Sequence, residues 1–71
     1  MMTMGDRIKL HRERRGLTLT ELSEKIGVTE STVCKWEKGD TEPSLINAIS
    51  IADFFNLSLD CLVGREIEKA D

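Results

Sequence analysis

The stretch that decides the fold runs from 17 to 39 and reads LTLTELSEKIGVTESTVCKWEKG. Its second residue, Thr18, is followed three residues later by Glu21, which is the spacing of a capping box. In that arrangement the hydroxyl and the carboxylate each accept a hydrogen bond from an otherwise free backbone N–H group. Apolar Leu22 and Ile26 follow at helical spacing, and Gly27 predicts the turn that ends this helix.

The second half of the stretch predicts another short helix. Thr29 can cap its first turn, while Val33 and Trp36 lie three residues apart and form an inward face. Two short helices joined by a tight turn that contains glycine form a helix-turn-helix, whose second helix fits the major groove of DNA. The polar residues of the second helix point away from its apolar face: Glu30, Ser31 and Lys35.

The remaining sequence predicts three further helices and no strands, which gives an all-α, five-helix domain. A first helix is expected over about 4–15, a fourth over about 44–55 and a short fifth over about 58–63. We expect residues 1–71 to form one domain, with the helix-turn-helix at about 18–37 and a polar C-terminal segment at 65–71. Five residues of the fourth helix form the stripe that we expect to face the core: Leu45, Ala48, Ile49, Ala52 and Phe55.

Charge is distributed unevenly along the 71 residues, although the net charge is −3. Residues 1–38 carry eight Lys or Arg against six Asp or Glu, whereas residues 39–71 carry two against seven. A basic front half and an acidic back half suit a domain that presents one end to phosphates. The basic excess is small, so we expect modest non-specific affinity for DNA and a strong salt dependence.

Several classes of function lack support in the sequence. Cys34 and Cys61 are far apart and only one histidine is present, so we expect no metal site and no cofactor. No Ser/His/Asp set or glycine-rich phosphate loop is present, which argues against an enzyme. The absence of a signal-like start or a long apolar run predicts a cytoplasmic protein without a membrane partner.

One set of residues keeps a fixed order and spacing along most of the chain: Arg12, Gly16-Leu17-Thr18, Glu21-Leu22, Gly27-Val28-Thr29, Val33, Trp36-Glu37, Gly39, Pro43-Ser44, Leu57-Ser58-Leu59-Asp60, Leu62 and Gly64. With these residues the chain resembles the Cro/repressor-type helix-turn-helix family, also called lambda-repressor-like or Xre-type. The resemblance covers roughly residues 6–64 and implies that family's five-helix fold and its binding of double-stranded DNA in transcriptional regulation, most often as a repressor.

The resemblance also implies roles for individual residues. Glu30, Ser31 and Lys35 align with positions that face base edges, where lysine suits guanine and glutamate can accept a hydrogen bond from cytosine N4. Arg12 and Glu37 resemble a structural ion pair between the first and third helices. Four residues are candidates for contact with phosphates: Thr18, Thr29, Thr32 and Lys38.

Assembly is expected to involve the domain itself, because no separate oligomerisation segment is evident. We expect a homodimer on a palindromic operator, weak in solution and strengthened on DNA. The candidate interface is an exposed apolar patch formed by Ile46, Leu59, Val63 and Ile67.

A second class of function remains open, namely an antitoxin or an adaptor that uses the helix-turn-helix scaffold to bind another protein. The net acidity favours it, as do Glu30 and Leu19, which stands where the family often has a phosphate-binding glutamine. Affinity for DNA no better than for a scrambled duplex would favour this alternative over the regulator.

Overall fold

The computed structural model describes residues 2–64, and within that range the chain forms five helices and no strand. This agrees with the all-α fold expected from the sequence, and each helix begins and ends within about two residues of its expected limits. The helices, in chain order, are α1 (Met4–Arg14), α2 (Leu19–Ile26), α3 (Glu30–Lys38), α4 (Leu45–Phe55) and α5 (Leu59–Val63).

Side-chain caps explain why the helices begin where they do. Thr18 accepts a hydrogen bond from the backbone N–H of Glu21, whose carboxylate accepts one from the N–H of Thr18, so the predicted capping box is confirmed. The hydroxyl oxygens of Thr29 and Ser44 each accept one backbone N–H at the start of α3 and α4, from Thr32 and Asn47. At the other end of α4, Asn56 takes the left-handed conformation (φ 59°), as expected.

Among residues 2–64, nine buried apolar side chains form one core, to which all five helices contribute. Leu22, Val33 and Trp36 bring the helix-turn-helix into it, as their spacing predicted. Because the chain is short, each of these side chains carries a large share of the stability. The full set is Ile8, Leu22, Val33, Trp36, Ala48, Ile51, Ala52, Phe55 and Leu62.

The apolar stripe expected on α4 is wrong at two positions. Leu45 and Ile49 are 67% and 44% exposed, whereas Ile51, which the stripe left out, is fully buried. Apolar residues occur on every side of this helix, so periodicity alone does not decide which side is inward. Packing against α2 and α5 decides it, and the buried residues of α4 are Ala48, Ile51, Ala52 and Phe55.

The C-terminal end of α1 is anchored on the end of α4 by aromatic and cationic side chains. The ring centroid of His11 lies 5.7 Å from that of Phe55. The guanidinium carbon of Arg15 lies 5.4 Å from the ring centroid of Phe54 and 5.3 Å from that of Phe55, within the range of a cation–π contact.

The backbones of α1 and α3 lie in close contact at Gly5. A Cβ atom built on this glycine would overlap the backbone carbonyl oxygen of Trp36. Gly5 is therefore buried against main chain rather than against a side chain, and no larger residue fits there without movement of a helix. Sequence reasoning missed this contact, because a glycine near the start of a helix has no periodic signature.

Candidate nucleic-acid interface

The orientation of α3 is fixed from its inner side. Val33 is fully buried and Trp36 is 3% exposed, so both anchor the helix in the core. With two anchors one turn apart, α3 cannot rotate about its axis without breaking the core. The opposite side therefore presents a constant set of exposed side chains, namely Glu30, Ser31, Lys35 and Lys38.

An ion pair between α1 and α3 adds a second constraint. The Nε of Arg12 donates to Oε2 of Glu37 at 2.7 Å, and its Nη2 donates to Oε1 at 3.0 Å. The two side chains are only 12% and 8% exposed, and the hydrogen bonds to Glu37 raise the pKa of Arg12 above its usual value. The implied structural role of this pair is thus present in the fold.

The same guanidinium also holds the segment that leads into α2. Nη1 of Arg12 donates to the carbonyl oxygen of Leu17 at 2.8 Å. Since Leu17 directly precedes the N-cap Thr18, one side chain connects α1, the start of α2 and the last turn of α3. The relative positions of the two helices of the motif are thereby fixed by charge-assisted hydrogen bonds.

The N-terminus of α3 contains a pair of bonded hydroxyl groups. The Oγ1 atoms of Thr29 and Thr32 lie 2.8 Å apart, and the Oγ1 of Thr29 also accepts the backbone N–H of Thr32. One hydroxyl proton is used in the bond between the two side chains, which leaves the other free to donate. Thr18 similarly accepts at the cap of α2, and its hydroxyl proton is available at an exposed position.

An acidic edge follows the exposed polar side of α3. The backbone N–H groups of Asp40 and Thr41 both donate to the carbonyl oxygen of Lys35, so the chain folds back over the last turn of α3. Asp40 and Glu42 are exposed there, directly after Lys38. The sequence indicated that residues 39–71 are acidic. It did not indicate that the first two carboxylates of this half, those of Asp40 and Glu42, follow the end of α3 so closely.

The structure describes three of the four residues expected to form an apolar interface. Ile46 is 76% exposed and Val63 is 43% exposed, but Leu59 packs against the core. Ile67 lies outside the described residues. Leu59 is partly buried, so only part of its side chain is available to a partner.

The position of Leu19 also has a structural explanation. This side chain is partly buried and packs against the core, so it contributes apolar contact at the start of α2. A glutamine there would place a hydrogen-bonding group at the surface instead.

Within the described range, no helix is long and apolar enough to cross a bilayer, and no group of three or more potential metal ligands occurs.

The five-helix fold and the exposed polar side of α3 are typical of helix-turn-helix proteins, and comparison with known families agrees. Residues 8–60 match the helix-turn-helix family, and the chain belongs to that family. It is 39% identical over 66 residues, 93% of its length, to the whole of the HTH-type transcriptional regulator YgzD of Bacillus subtilis. It is 34% identical to the immunity repressor of Bacillus phage phi105, over 92% of this chain and 45% of that protein.

Solved structures show the same architecture. The P22 c2 repressor bound to a synthetic operator has a TM-score of 0.86 and 26% identity, covering 93% of this chain and all of that one. The biofilm regulator SinR in complex with DNA has a TM-score of 0.77 and 33% identity, covering 84% of this chain and 97% of that one.

Proposed function

We propose that this protein is a transcriptional regulator that binds specific double-stranded DNA sequences and represses transcription, with α3 as its recognition helix. The observation that carries the proposal is the two-sided character of α3. Its inner side is locked by Val33, Trp36 and the partly buried Arg12–Glu37 pair, while its outer side is polar and exposed. A rigid helix with a free polar side is what reading of base edges in the major groove requires.

Specific reading is assigned to the first two turns of α3. Lys35 donates to guanine O6 and N7, which is a common specific contact in the major groove. Ser31 lies one turn earlier on the same side and can donate or accept. Glu30 accepts from cytosine N4, an amino group in the groove to which a carboxylate is suited.

Phosphate contacts position the helix on the duplex. Thr18 stands at the N-terminus of α2, and Thr29 with Thr32 at that of α3, where free backbone N–H groups and a hydroxyl proton favour an anion. Lys38 in the last turn supplies a charge at the other end of α3. These contacts carry affinity and orientation but no direct sequence information.

The relatives support the regulatory part of the proposal. The P22 c2 repressor has been solved on an operator, SinR has been solved on DNA, and the phi105 relative is an immunity repressor. By analogy, we assign residues 1–71 to a single helix-turn-helix domain that acts in the cytoplasm as a homodimer on a palindromic operator. Two recognition helices about 34 Å apart would then read successive major grooves.

Selection of binding sites from a pool of random duplexes tests the proposal. We expect a short palindromic consensus, and Lys35→Ala should cost about 1–3 kcal/mol on that site while relaxing one base position in each half. Lys25→Ala, which removes an equal charge from the last turn of α2, is the matched control and should leave the consensus intact. An equal loss on selected and random DNA would reassign Lys35 to phosphate.

The adaptor or antitoxin alternative keeps one observation in its favour, which is the acidic edge at Asp40 and Glu42 beside the recognition helix. If the selection yields no consensus and the protein binds all duplexes equally weakly, the scaffold is used to bind a protein. Enrichment of a single palindrome excludes this reading as the main function.

A further inference from the structure

A cavity of about 120 Å³ lies between the first turn of α1 and the segment that connects α3 to α4. Gly5 lets the backbone of α1 rest on α3, and the backbone N–H groups of Asp40 and Thr41 hold the connecting segment against the last turn of α3. The space that remains has an apolar wall and a polar wall, which we call the end cavity. Its main lining residues are Met4, Trp36 and Pro43 on the apolar side, and Thr3, Thr41 and Glu42 on the polar side.

The volume of the end cavity limits what can enter it. Sites for drug-sized ligands are several times larger, so only a small molecule fits. A cavity of about 150 Å³ holds one benzene molecule, and the end cavity therefore takes a ligand of about five heavy atoms. An apolar wall combined with a few polar groups is the usual composition of a site for such a ligand.

The indole group of Trp36 indicates that the ligand carries a hydrogen-bond acceptor. This side chain lines the end cavity and is only 3% exposed. Its indole N–H makes no hydrogen bond to any residue from 2 to 64, and its nitrogen is not among the fully enclosed atoms of that range. Since a buried tryptophan N–H normally has an acceptor, a molecule in the cavity is a suitable source of one.

The charges around the end cavity favour a cation over an anion. Glu42 is the only charged residue in the lining that the structure describes, and it takes part in neither of the ion pairs found among residues 2–64. The start of α1 does not offer a free anion site either, because the carboxylate of Asp6 already accepts the N–H of Thr3 at 3.0 Å. A positively charged group is therefore the complement of this rim.

We propose that the end cavity binds a small amino alcohol. Its ammonium group pairs with the carboxylate of Glu42, and its hydroxyl oxygen accepts the indole N–H of Trp36. Its short alkyl part packs against Met4 and Pro43. Because Glu42 is exposed and the ligand has few atoms, the dissociation constant should be about 1 mM.

Occupation of the end cavity has a consequence for DNA binding. Glu42 is one of the two carboxylates of the acidic edge that follows α3. A bound ammonium group cancels its charge, so the repulsion between this edge and phosphates falls. The amino alcohol thereby acts as a co-regulator that raises affinity for duplex DNA. This regulatory step rests on the proposed function, whereas binding of the ligand does not.

Titration of the full chain with alaninol, a five-heavy-atom amino alcohol, tests the site without DNA. Trp36 is the only tryptophan, so the single indole N–H signal in a proton–nitrogen correlation spectrum reports on the cavity. At constant ionic strength we expect this signal to shift and to reach half-saturation near about 1 mM. The backbone signals of Gly39, Thr41 and Glu42 should shift with it.

Two analogues and two variants separate the contacts of the ligand. Isopropylamine lacks the hydroxyl group and propanol lacks the ammonium group, so each should bind about threefold to fivefold more weakly than alaninol. Glu42→Gln should weaken alaninol by the same factor and leave propanol unchanged. Asp40→Asn is the matched control, because it removes an equal charge outside the lining and should change the affinity less than about twofold.

Three results of this titration would overturn the proposal. They are an indole signal that does not move up to about 50 mM alaninol, equal affinity in Glu42→Gln and the wild type, and shifts centred on residues outside the end cavity. The dispersion of the same spectra verifies that each variant is folded.

Fluorescence anisotropy with a random duplex tests the regulatory step. At about 10 mM alaninol and constant ionic strength, affinity should rise about twofold in the wild type and stay unchanged in Glu42→Gln. An unchanged wild type would overturn this step alone. A protein that binds no duplex overturns the proposed function and the regulatory step together, but the ligand site is then still decided by the titration without DNA.

Discussion

The ion pair between α1 and α3 allows a quantitative prediction for Glu37→Ala. This change removes two charge-assisted hydrogen bonds, of 2.7 and 3.0 Å, and leaves the guanidinium of Arg12 with the carbonyl of Leu17 and a long contact of 3.9 Å to the exposed carboxylate of Glu13. Breaking a buried pair costs about 3–5 kcal/mol, because one charge stays desolvated without its partner. The side chain of Arg12 is still 12% exposed and can regain some water, so we expect about 3 kcal/mol.

Urea unfolding measures this effect directly, because the buried Trp36 is the only tryptophan and reports on the core next to the pair. The midpoint should fall while the slope of the transition stays constant, since the variant exposes the same surface on unfolding. A loss of this size is a large fraction of the total stability expected for a small domain.

The chain offers a matched control on the same arginine. Glu13 lies 3.9 Å from Nη2 of Arg12, but its side chain is 56% exposed, so Glu13→Ala should cost at most about 1 kcal/mol. Replacing both Arg12 and Glu37 by apolar residues of similar size should cost less than Glu37→Ala, because no charge is left unpaired. If Glu37→Ala and Glu13→Ala destabilise equally, the reasoning from burial is refuted.

Three further predictions follow from other contacts. Gly5→Ala should destabilise the fold by about 1–3 kcal/mol through overlap with the facing backbone carbonyl, whereas Gly16→Ala, which meets no atom, costs only backbone strain; thermal unfolding compares the two. Burial, followed by the charges of Arg14, Arg15 and Arg7, lowers the pKa of His11 below 6.5, so the folded state binds fewer protons than the unfolded chain. Its contribution to stability is therefore complete above pH 6.5 and is lost as the pH falls through the lowered pKa, a dependence that urea titrations should find absent in His11→Gln. The double change Asp40→Asn and Glu42→Gln should raise affinity for random duplex DNA several-fold and steepen its salt dependence, with Asp53→Asn as the control; equal affinities in a fluorescence anisotropy titration would show that the acidic edge does not face phosphates.

The parts of the fold that the sequence predicts are those set by local chemistry. The cap at Thr18, the turn at Gly27 and the end of α4 at Asn56 each depend on residues within four positions of one another. Val33 and Trp36 were also assigned correctly, because polar residues surround them and leave only one apolar side of α3.

The parts that the sequence could not predict depend on distant elements. The orientation of α4 is decided by its neighbours, because a helix with few polar residues fits the core in more than one rotation. The contact at Gly5 depends on how closely two helices approach, which no periodic pattern records. The pairing of Arg12 with Glu37 joins residues 25 positions apart, and only the family resemblance indicated it.

The missing side chain at Gly5 has a consequence beyond stability. It lets the backbone of α1 rest directly on the last turns of α3, so it sets how far the recognition helix projects from the body of the protein. A hydrogen bond to a base edge tolerates only a few tenths of an ångström in donor–acceptor distance. A single methyl group at this buried position would therefore change how deeply α3 reaches into the groove. Gly5 would in this way influence base contacts from the side of α3 that faces the protein.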